Sequence, residues 1–231
     1  MNNEIRYSGC AIGCYSCQCF DKLSVDEKKY LHENCINVKY KRGEVICKQG
    51  TYASHLIMID KGLAKVYLDD GVNSLVLKVI PEGNLLGLSS INDFFNTFQY
   101  SALAYVDTET KQIEINAFRT LLKNNSEFAK AIIDVLCSNN TQIYSRFFCI
   151  THKQSFGRLA DIILCLSDRI FKSNEFHLPL TRKDLAELSG MSAETVARML
   201  KKFNDEGLIK TDGKNIKILD SYKLERISEI G

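Results

Sequence analysis

Several features that would place a protein in a specialised class are missing from this chain of 231 residues. No apolar run approaches the roughly 18 residues of a membrane-spanning helix, so we expect no membrane contact. The N-terminal residues lack the apolar core of a signal peptide, so we expect a cytoplasmic protein. No fixed-period repeat is visible, which excludes a solenoid or a collagen-like rod. The net charge is only +2, which is too small to steer the whole molecule towards nucleic acid.

The composition that is present is typical of a folded protein with one or two domains. Hydrophobic residues make up 45% of the chain and charged residues 25%, which can fill a core and excludes global disorder. Residues 1–150 carry 16 basic and 16 acidic side chains, whereas residues 151–231 carry 14 and 12. The whole positive excess therefore lies in the last third of the chain.

Cysteine is the unusual residue, because the chain has nine of them and no export signal. Thiols stay reduced in the cytoplasm, so a disulfide framework is not expected. Four cysteines crowd together near the N-terminus and five are scattered singly. The crowded four are Cys10, Cys14, Cys17 and Cys19, and the scattered five are Cys35, Cys47, Cys137, Cys149 and Cys165. We expect the scattered five to pack as small apolar residues, although Cys47 stays open as a ligand.

The first half of the chain changes from a cysteine arm to a helix and then to strands. The arm covers residues 1–20, and a capping-box signal at Ser24 favours a helix within residues 21–34. Residues 36–118 contain short apolar runs between regularly spaced glycines, which predicts a barrel or sandwich. Asp70-Gly71 predicts a hairpin turn between two of the strands. The clearest strand predictions are Leu56–Ile59, Leu63–Leu68 and Leu75–Ile80.

Residues 126–150 change to a helical period. Apolar residues and one asparagine recur there every three or four positions, without an internal proline or glycine. The stripe consists of Phe128, Ile132, Val135, Leu136, Asn139, Ile143, Phe147 and Ile150. A helix of this length exceeds what one small barrel needs, which favours a dimer seam. The alternative is a helix that packs entirely on its own domain.

The last third of the chain contains a helix-turn-helix pattern. A helix over Phe156–Phe171 precedes it. Thr181 is placed to cap the next helix, and Gly190 is placed for the left-handed turn that ends it. Ser192 is then placed to cap a second helix, and two helices joined in this way form a helix-turn-helix. Two short strands around Asp212-Gly213 follow and predict a β-wing.

The second helix of this motif carries side chains suited to reading DNA. Arg198 can donate two hydrogen bonds to guanine, and Glu194 can accept one from cytosine. Ala193 and Ala197 lie on the same outward face of this helix. Phosphate contacts are expected from Lys183, Lys201, Lys202 and Lys214, and from the helix N-termini at Thr181 and Ser192. The alternative is a structural helical hairpin whose charged residues are only solvated.

Residues 180–208 resemble the DNA-binding signature of the Crp/Fnr regulators, and the resemblance extends over nearly the whole chain. It implies an α+β fold with three parts after the cysteine arm. These are an N-terminal β-roll of the cyclic-nucleotide-binding, jelly-roll type over 21–123, a long dimerisation helix over 124–152, and a C-terminal winged helix-turn-helix over 153–231. It also implies a homodimer that binds a palindromic site on double-stranded DNA and contacts RNA polymerase, and no enzymatic activity.

The resemblance also suggests which half-site is read. Residues at the places of Glu194 and Arg198 read a TGA/TCA core in the family, and both are present here. Ala193 stands where the cyclic-AMP-responsive branch has an arginine, which favours the TTGA-type site of the Fnr-like branch. Ala197 replaces the serine that is usual in that branch, so the preference for the outer thymine of the half-site stays open.

Cyclic AMP is not expected as the ligand. The responsive branch holds the cyclic phosphate with a glutamate and an arginine–serine pair. Leu88 stands at the place of the glutamate, and Tyr100-Ser101 stands at the place of the pair. A buried phosphate would therefore lack a charged partner.

The cysteine arm resembles that of the oxygen-sensing Fnr proteins. The resemblance implies that Cys14 and Cys17 are cluster ligands and that Cys19 is the third. Cys10 matches a family cysteine that is not a ligand. The family takes its fourth ligand from the β-roll, but residues 108–114 hold no cysteine. The fourth ligand is then Cys10, Cys47 or an acidic residue.

The sequence thus predicts a Crp/Fnr-type transcription regulator gated by an oxygen-, nitric-oxide- or redox-labile [4Fe–4S] cluster. Thiolates suit zinc as well as iron–sulfur clusters, so structural zinc on the four arm cysteines stays an alternative. A thiol switch and an unknown ligand in the β-roll are further alternatives. The four histidines show no ligand spacing.

Overall fold

The computed structural model describes residues 12–13, 18–72, 74–92 and 94–231. They form two compact units. The first unit holds residues 18–72, 79–92 and 94–140, and the second holds residues 12–13, 74–78 and 141–231. Cys10, Cys14 and Cys17 lie outside the described residues. The domain boundaries inferred from the sequence stay predictions.

The first unit begins with a short 3-10 helix, Cys19–Lys22, and helix α1, Val25–Glu33. The capping box predicted at Ser24 is confirmed. The Ser24 hydroxyl accepts a hydrogen bond from the Glu27 amide at 3.2 Å, and the Glu27 carboxylate accepts one from the Ser24 amide at 2.8 Å. Because both amides are satisfied, the helix has a defined start.

The β-roll consists of two four-stranded sheets. Each strand pair whose register the structure gives is antiparallel. The sheet orders are β1-β8-β3-β6 and β2-β7-β4-β5. The three clearest strand predictions are confirmed by β3, β4 and β5, and the predicted turn at Asp70-Gly71 separates β4 from β5. The strands are β1 Cys35–Tyr40, β2 Val45–Cys47, β3 His55–Lys61, β4 Leu63–Asp69, β5 Ser74–Pro81, β6 Leu85–Leu86, β7 Ser101–Ala104 and β8 Thr108–Glu114.

The strand prediction is wrong at its end, because residues 115–118 are helical. Helix α2 spans Ile115–Asn124 and buries Ile115, Phe118 and Leu121. These three positions recur every third residue, which matches a helix and not a strand. The helical period therefore begins about ten residues earlier than the sequence analysis placed it.

The apolar core of the first unit joins the β-roll to its helices. Phe118 and Phe128 meet edge to face, with ring centroids 5.3 Å apart. The buried members are Cys19, Leu23, Leu56, Leu88, Ile113, Phe118, Leu121, Phe128 and Ile132, and Cys35 is among the half-buried residues packed against them. Two of the chain's nine cysteines thus belong to one core.

Helix α3, Ser126–His152, has a different environment at each end. Phe128 and Ile132 are 0% and 1% exposed, so the first turns pack into the core of the first unit. Ile143 and Phe147 are 54% and 68% exposed. The two predicted alternatives were a dimer seam and a helix that packs on its own domain, and each applies to a different half of the helix. The seam prediction is wrong for Phe128 and Ile132, and a seam is open only to the later turns.

The second unit contains the C-terminal helices and a small sheet. The helix predicted over residues 156–171 is α4, Ser155–Cys165, which continues as a wider π-helical segment over Leu166–Phe171. The later helices are α5 Arg182–Ser189, α6 Ala193–Asp205 and α7 Ser221–Ile230, and the strands are β9 Glu175–His177, β10 Ile209–Asp212 and β11 Asn215–Ile218. Among the described residues, none of the helices is both long and apolar enough to cross a bilayer.

Candidate nucleic-acid interface and cysteine site

Helix α5 begins and ends as the sequence predicts. The Thr181 hydroxyl accepts a hydrogen bond from the Asp184 amide at 3.1 Å, and the Asp184 carboxylate accepts one from the Thr181 amide at 2.8 Å. Gly190 ends the helix with a φ of 61°, in the left-handed region that glycine adopts without strain. Only two residues then separate this turn from helix α6, so the motif has the tight connection of a helix-turn-helix.

Helix α6 is fixed by one cap and one apolar face. The Ser192 hydroxyl accepts a hydrogen bond from the Thr195 amide at 3.1 Å. Val196 and Phe203 are both 0% exposed, and the Phe203 ring centroid lies 4.6 Å from that of Phe156 on α4. The buried face fixes the rotation of the helix and sets its other face towards solvent.

The outward face of α6 presents the predicted base-reading residues. Ala193, Glu194, Arg198 and Lys201 are exposed, and Ala197 is partly exposed. Glu194 and Arg198 are four residues apart and form no ion pair or hydrogen bond through their side chains within the described part of the chain. Both side chains can therefore reach base edges without first breaking an internal contact.

The predicted phosphate contacts differ in how available they are. The Lys202 Nζ lies 4.5 Å from the Phe156 ring centroid and 3.8 Å from a Glu206 carboxylate oxygen, so it is partly engaged. Lys183 is exposed and lies 3.9 Å from Glu187. Both ion pairs are long and both lysines are exposed, so both lysines can turn towards a phosphate.

The two helix N-termini are not equivalent as anion sites. The Thr181 hydroxyl donates to the Asp184 carboxylate at 2.7 Å, which places a negative charge at the start of α5. That charge opposes a phosphate. Ser192 caps α6 by its hydroxyl alone, hydrogen-bonded to the Thr195 hydroxyl at 2.9 Å. Glu194 in the first turn of α6 also carries a negative charge, but it is not part of the cap at Ser192.

The β-wing is present where the sequence predicts it. Strands β10 and β11 pair antiparallel, with Asp212 opposite Asn215, and β11 also pairs with β9. Gly213 occupies the turn with a φ of 58°. Lys214 is exposed in that turn, next to the tip of the hairpin. Helix α5, helix α6 and this hairpin together define a winged helix-turn-helix protein.

Comparison with known proteins agrees with this class. A family profile described as the Crp-like helix-turn-helix domain matches residues 157–227, and one described as the cyclic nucleotide-binding domain matches residues 37–125. Electron transport regulator A of Shewanella oneidensis is 26% identical, over 98% of this chain and 94% of that protein. The anaerobic regulatory protein of Haemophilus influenzae is 25% identical, over 94% and 88%.

A solved structure supports the same fold. The structure of FixK2 from Bradyrhizobium japonicum matches with a TM-score of 0.77 at 17% identity, over 84% of this chain and 96% of that one. The chain belongs to the Crp/Fnr family of DNA-binding transcription regulators, as the sequence resemblance predicts. This is a family of regulators and not of enzymes.

The β-roll has uncharged side chains with structural contacts at the positions of the family's phosphate clamp. Leu88 is 5% exposed and belongs to the core of the first unit. The Tyr100 hydroxyl accepts a hydrogen bond from the Gly87 amide at 2.8 Å, and the Ser101 hydroxyl accepts one from the Gln49 amide at 3.0 Å. These contacts give each position a structural role and supply no cation for a cyclic phosphate.

The described cysteines other than Cys35 differ in burial and in bonding. Cys19 is 2% exposed in the core of the first unit, and its sulfur is disulfide-bonded. Cys47 is buried on β2, and burial raises the pKa of its thiol to about 12, against the thiolate form that a metal ligand needs. Cys137 is exposed on α3, whereas Cys149 and Cys165 are buried. The prediction that these three cysteines take core or seam positions is confirmed as core for Cys149 and Cys165, whereas Cys137 is not in the core and its seam position stays a prediction.

Three of the four predicted arm ligands, Cys10, Cys14 and Cys17, lie outside the described residues. Within the described ranges, the structure shows no group of three or more histidine, cysteine or acidic side chains that could hold a metal ion. Cys19 is the one predicted arm ligand that is described. Sequence reasoning missed the position of Cys35, which is packed against the same core. The apolar run that begins at Cys35 indicates a strand, but the sequence does not show which strand pairs with it.

Proposed function

We propose that the chain is a homodimeric regulator that binds a palindromic, TTGA-like DNA site and is gated by a labile [4Fe–4S] cluster on its N-terminal cysteines. The observation that carries the proposal is the exposed pair Glu194 and Arg198 on a capped recognition helix, in a chain with a cysteine arm. Two relatives carry names that refer to electron transport and anaerobic regulation, which supports a redox signal.

The DNA part of the proposal follows from geometry and charge. The recognition helix enters the major groove with its N-terminal residues, which here include Ala193, Glu194 and Arg198. Arg198 reads a guanine, and Glu194 accepts from a cytosine on the other strand. Lys201 and Lys214 hold the phosphate backbone and add affinity that does not depend on sequence.

The dimer part follows from the exposed half of helix α3. Six exposed positions on it alternate in steps of four and three residues, which is the spacing of a two-stranded seam. They are Ile133, Cys137, Asn140, Tyr144, Phe147 and Thr151. Three of them are large apolar or aromatic side chains between 57% and 68% exposed. A second copy of the same helix covers them and relates two DNA-binding units by a two-fold axis.

Cys137 provides a test of this seam. In a parallel pair of helices each seam residue faces its own copy, at a Cα separation compatible with a disulfide. Mild oxidation with diamide is expected to give a covalent dimer on non-reducing gels, and Cys137→Ser is expected to abolish that band. If light scattering showed a dimer that does not cross-link, the seam would lie elsewhere on the chain. If it showed a monomer at micromolar protein concentration, the proposed dimer would be refuted.

The cluster part rests on the cysteine set and on the environment of Cys19. Cysteine thiolates hold iron–sulfur clusters, and an apolar surrounding controls solvent access to them. Cys19 is the first residue of the 3-10 helix and a buried member of the apolar core that contains Phe128. Because the Cys19 sulfur is disulfide-bonded in the structure, ligation at Cys19 requires that this disulfide be reduced first. The cluster, when bound, supplies sensitivity to oxygen and nitric oxide.

The protein's own contribution to gating is a change in the order of its N-terminal segment. Ligation at Cys19 fixes the 3-10 helix, whose Lys22 carbonyl accepts a hydrogen bond from the Asn125 side chain at 3.1 Å. Asn125 in turn accepts from the Phe128 amide at 2.9 Å and so caps the start of α3. Loss of ligation frees this contact and shifts the population away from the dimer that binds DNA.

Anaerobic reconstitution with iron and sulfide tests the gate. We expect about four iron and four acid-labile sulfide atoms per chain, and roughly tenfold or greater loss of specific DNA affinity after exposure to air. The matched control is Cys165→Ser, which alters a buried cysteine of the second unit. Equal DNA binding with and without the cluster would refute gating while leaving the DNA-binding role intact.

The second candidate is the same regulator without an iron–sulfur cluster. The disulfide at Cys19 favours a thiol switch within this candidate, and zinc on the arm cysteines is the other form of it. Metal analysis of anaerobically purified protein separates the candidates, because each predicts a different content of iron, sulfide and zinc. Contact with RNA polymerase and a cytoplasmic location stay predictions from the resemblance.

A further inference from the structure

The start of helix α4 meets the recognition helix α6 through one aromatic ring. Phe156 is the second residue of α4, and its ring packs against both Lys202 and Phe203 of α6. We propose that Phe156 and Lys202 are positioning residues that hold α6 in the orientation in which Arg198 reads a guanine. The inference rests on the proposed function, because it concerns how the same helix reads its half-site.

The Phe156 ring contacts α6 from two directions. The Lys202 Nζ lies 4.5 Å from the ring centroid, which is within the distance of roughly 6 Å over which an aromatic face attracts a cation. The Phe203 ring centroid lies 4.6 Å from that of Phe156, with the two rings tilted by 60°. Consecutive side chains leave an α-helix about 100° apart, so one ring contacts two sides of α6 and resists its rotation.

The rotation of α6 matters because Arg198 precedes Lys202 by four residues. Side chains at this spacing are neighbours on one face of a helix, so a contact at Lys202 acts close to Arg198. The two hydrogen bonds of an arginine to guanine require a planar guanidinium that lies along the base edge. A helix that turns about its axis would move this guanidinium away from the guanine O6 and N7 atoms.

The backbone that carries Phe156 is fixed on both sides. The Arg158 guanidinium donates a hydrogen bond to the Ile150 carbonyl oxygen at 3.3 Å, which ties α4 to the last turn of α3. The Lys153 Nζ lies 2.6 Å from the buried Asp161 carboxylate, further along α4. All of these residues belong to the second unit. Phe156 therefore presents its ring to α6 from a defined place.

The sequence predicts Lys202 as a phosphate contact, and the two roles need the same ammonium group. The Lys202 side chain is 57% exposed, so it can turn to a phosphate, but it then gives up the contact with the Phe156 ring. The roles differ in their salt dependence. Loss of one phosphate contact reduces the slope of log affinity against log salt by about 0.9, whereas loss of a positioning contact leaves the slope unchanged.

A double-mutant cycle in the full-length protein tests the pair. Lys202→Ala, Phe156→Leu and the double variant are titrated at several salt concentrations with a palindromic TTGA-type duplex and with a scrambled duplex. A cation–π contact at an exposed site changes an equilibrium constant about two- to fivefold, and a dimer holds two such contacts. Each single variant is therefore expected to bind the TTGA-type duplex about 5–30-fold more weakly, with an unchanged salt slope and little change on the scrambled duplex. The double variant is expected to lose no more than the weaker single variant, because both changes remove the same contact.

Ring-retaining and matched variants separate positioning from general packing. Phe156→Tyr keeps the aromatic ring and is expected to recover most of the affinity that Phe156→Leu loses. Phe171→Leu alters another ring of the second unit, which stacks on Phe176 with centroids 4.7 Å apart. It is expected to preserve the discrimination between the two duplexes and to show no coupling with Lys202→Ala. Circular dichroism and urea denaturation report whether each variant is folded.

The outcomes separate this inference from the proposed function. Independent losses in the cycle, or an unchanged affinity of Lys202→Ala, would overturn the positioning role. So would a Lys202→Ala protein that binds both duplexes more weakly by the same factor and has a salt slope smaller by about two for the dimer, because Lys202 is then a phosphate contact. If Phe156→Leu does not fold, the salt slope of Lys202→Ala decides alone.

Failure of the proposed site has a different signature. Wild-type protein that does not distinguish the TTGA-type duplex from the scrambled one would overturn the proposed site and this inference with it. Loss of discrimination in Arg198→Ala, together with independent losses in the cycle, would overturn the positioning role alone and leave base reading by Arg198 in place.

Discussion

Arg198→Ala is expected to abolish most of the sequence-specific DNA affinity of the protein. The Arg198 side chain is exposed on α6 and has no internal partner among the described residues. A bidentate arginine–guanine pair contributes about 1–3 kcal/mol of discrimination, and a dimer makes the pair in both half-sites. The expected loss is therefore about 2–6 kcal/mol for the dimer. Fluorescence anisotropy with a palindromic TTGA-type duplex and a scrambled duplex, at one fixed salt concentration, measures it.

Lys201→Ala is the matched control on the same helix. Lys201 is exposed on α6, three residues after Arg198, and it is expected to contact phosphate. Its loss should weaken binding to both duplexes equally and reduce the salt dependence of the affinity. If Arg198→Ala weakened both duplexes equally as well, Arg198 would be a phosphate contact, and the assignment of base reading to it would be wrong.

Asp161→Ala is expected to lower the free energy of unfolding of the second unit by about 3–5 kcal/mol. Asp161 is 2% exposed on α4, and its carboxylate lies 2.6 Å from the Lys153 Nζ. It also accepts hydrogen bonds from the Ser228 hydroxyl of α7 and, at 3.5 Å, from the Cys149 thiol of α3. Alanine at this position leaves a buried ammonium without its counter-ion. Urea denaturation followed by circular dichroism measures the loss.

The comparison for this prediction is an exposed ion pair in the same unit. The Glu175 carboxylate lies 2.8 Å from the Lys217 Nζ, with both side chains more than half exposed. Glu175→Ala should change the urea midpoint little, because solvent already screens the pair. If Asp161→Ala unfolded at the same midpoint as Glu175→Ala, the buried network would not be a stabilising element of the unit.

The helix-turn-helix could be predicted in detail because its signals are local in sequence. The caps and the turn act on backbone groups within four residues, so they can be recognised directly in the sequence. They are formed by Thr181 with Asp184, by Ser192 and by Gly190. The apolar face of α6 can be predicted because its apolar residues recur at the period of a helix. The structure confirms the caps, the turn and the wing at the predicted positions.

The parts that could not be predicted depend on contacts distant in sequence. Nothing near Cys35 shows that it lies opposite Ile113, because strand register is set by pairing across nearly eighty residues. The stripe on α3 gave one continuous pattern, although Phe128 is core and Phe147 is exposed. A periodic pattern shows that a face is apolar but does not show what covers it.

The exposed positions of α3 also have a geometric consequence. From Ile133 to Phe147 they repeat every 3.5 residues, in steps of four and three, whereas a straight helix turns once in 3.6 residues. Two copies that keep this face in contact must wind about each other with a left-handed twist, at a crossing angle near +20°. Asn140 lies in the middle of the seam as a polar residue, and such a residue fixes the axial alignment of the two helices at some cost in stability. The handedness and the alignment of the proposed dimer thus follow from one helix of a single chain.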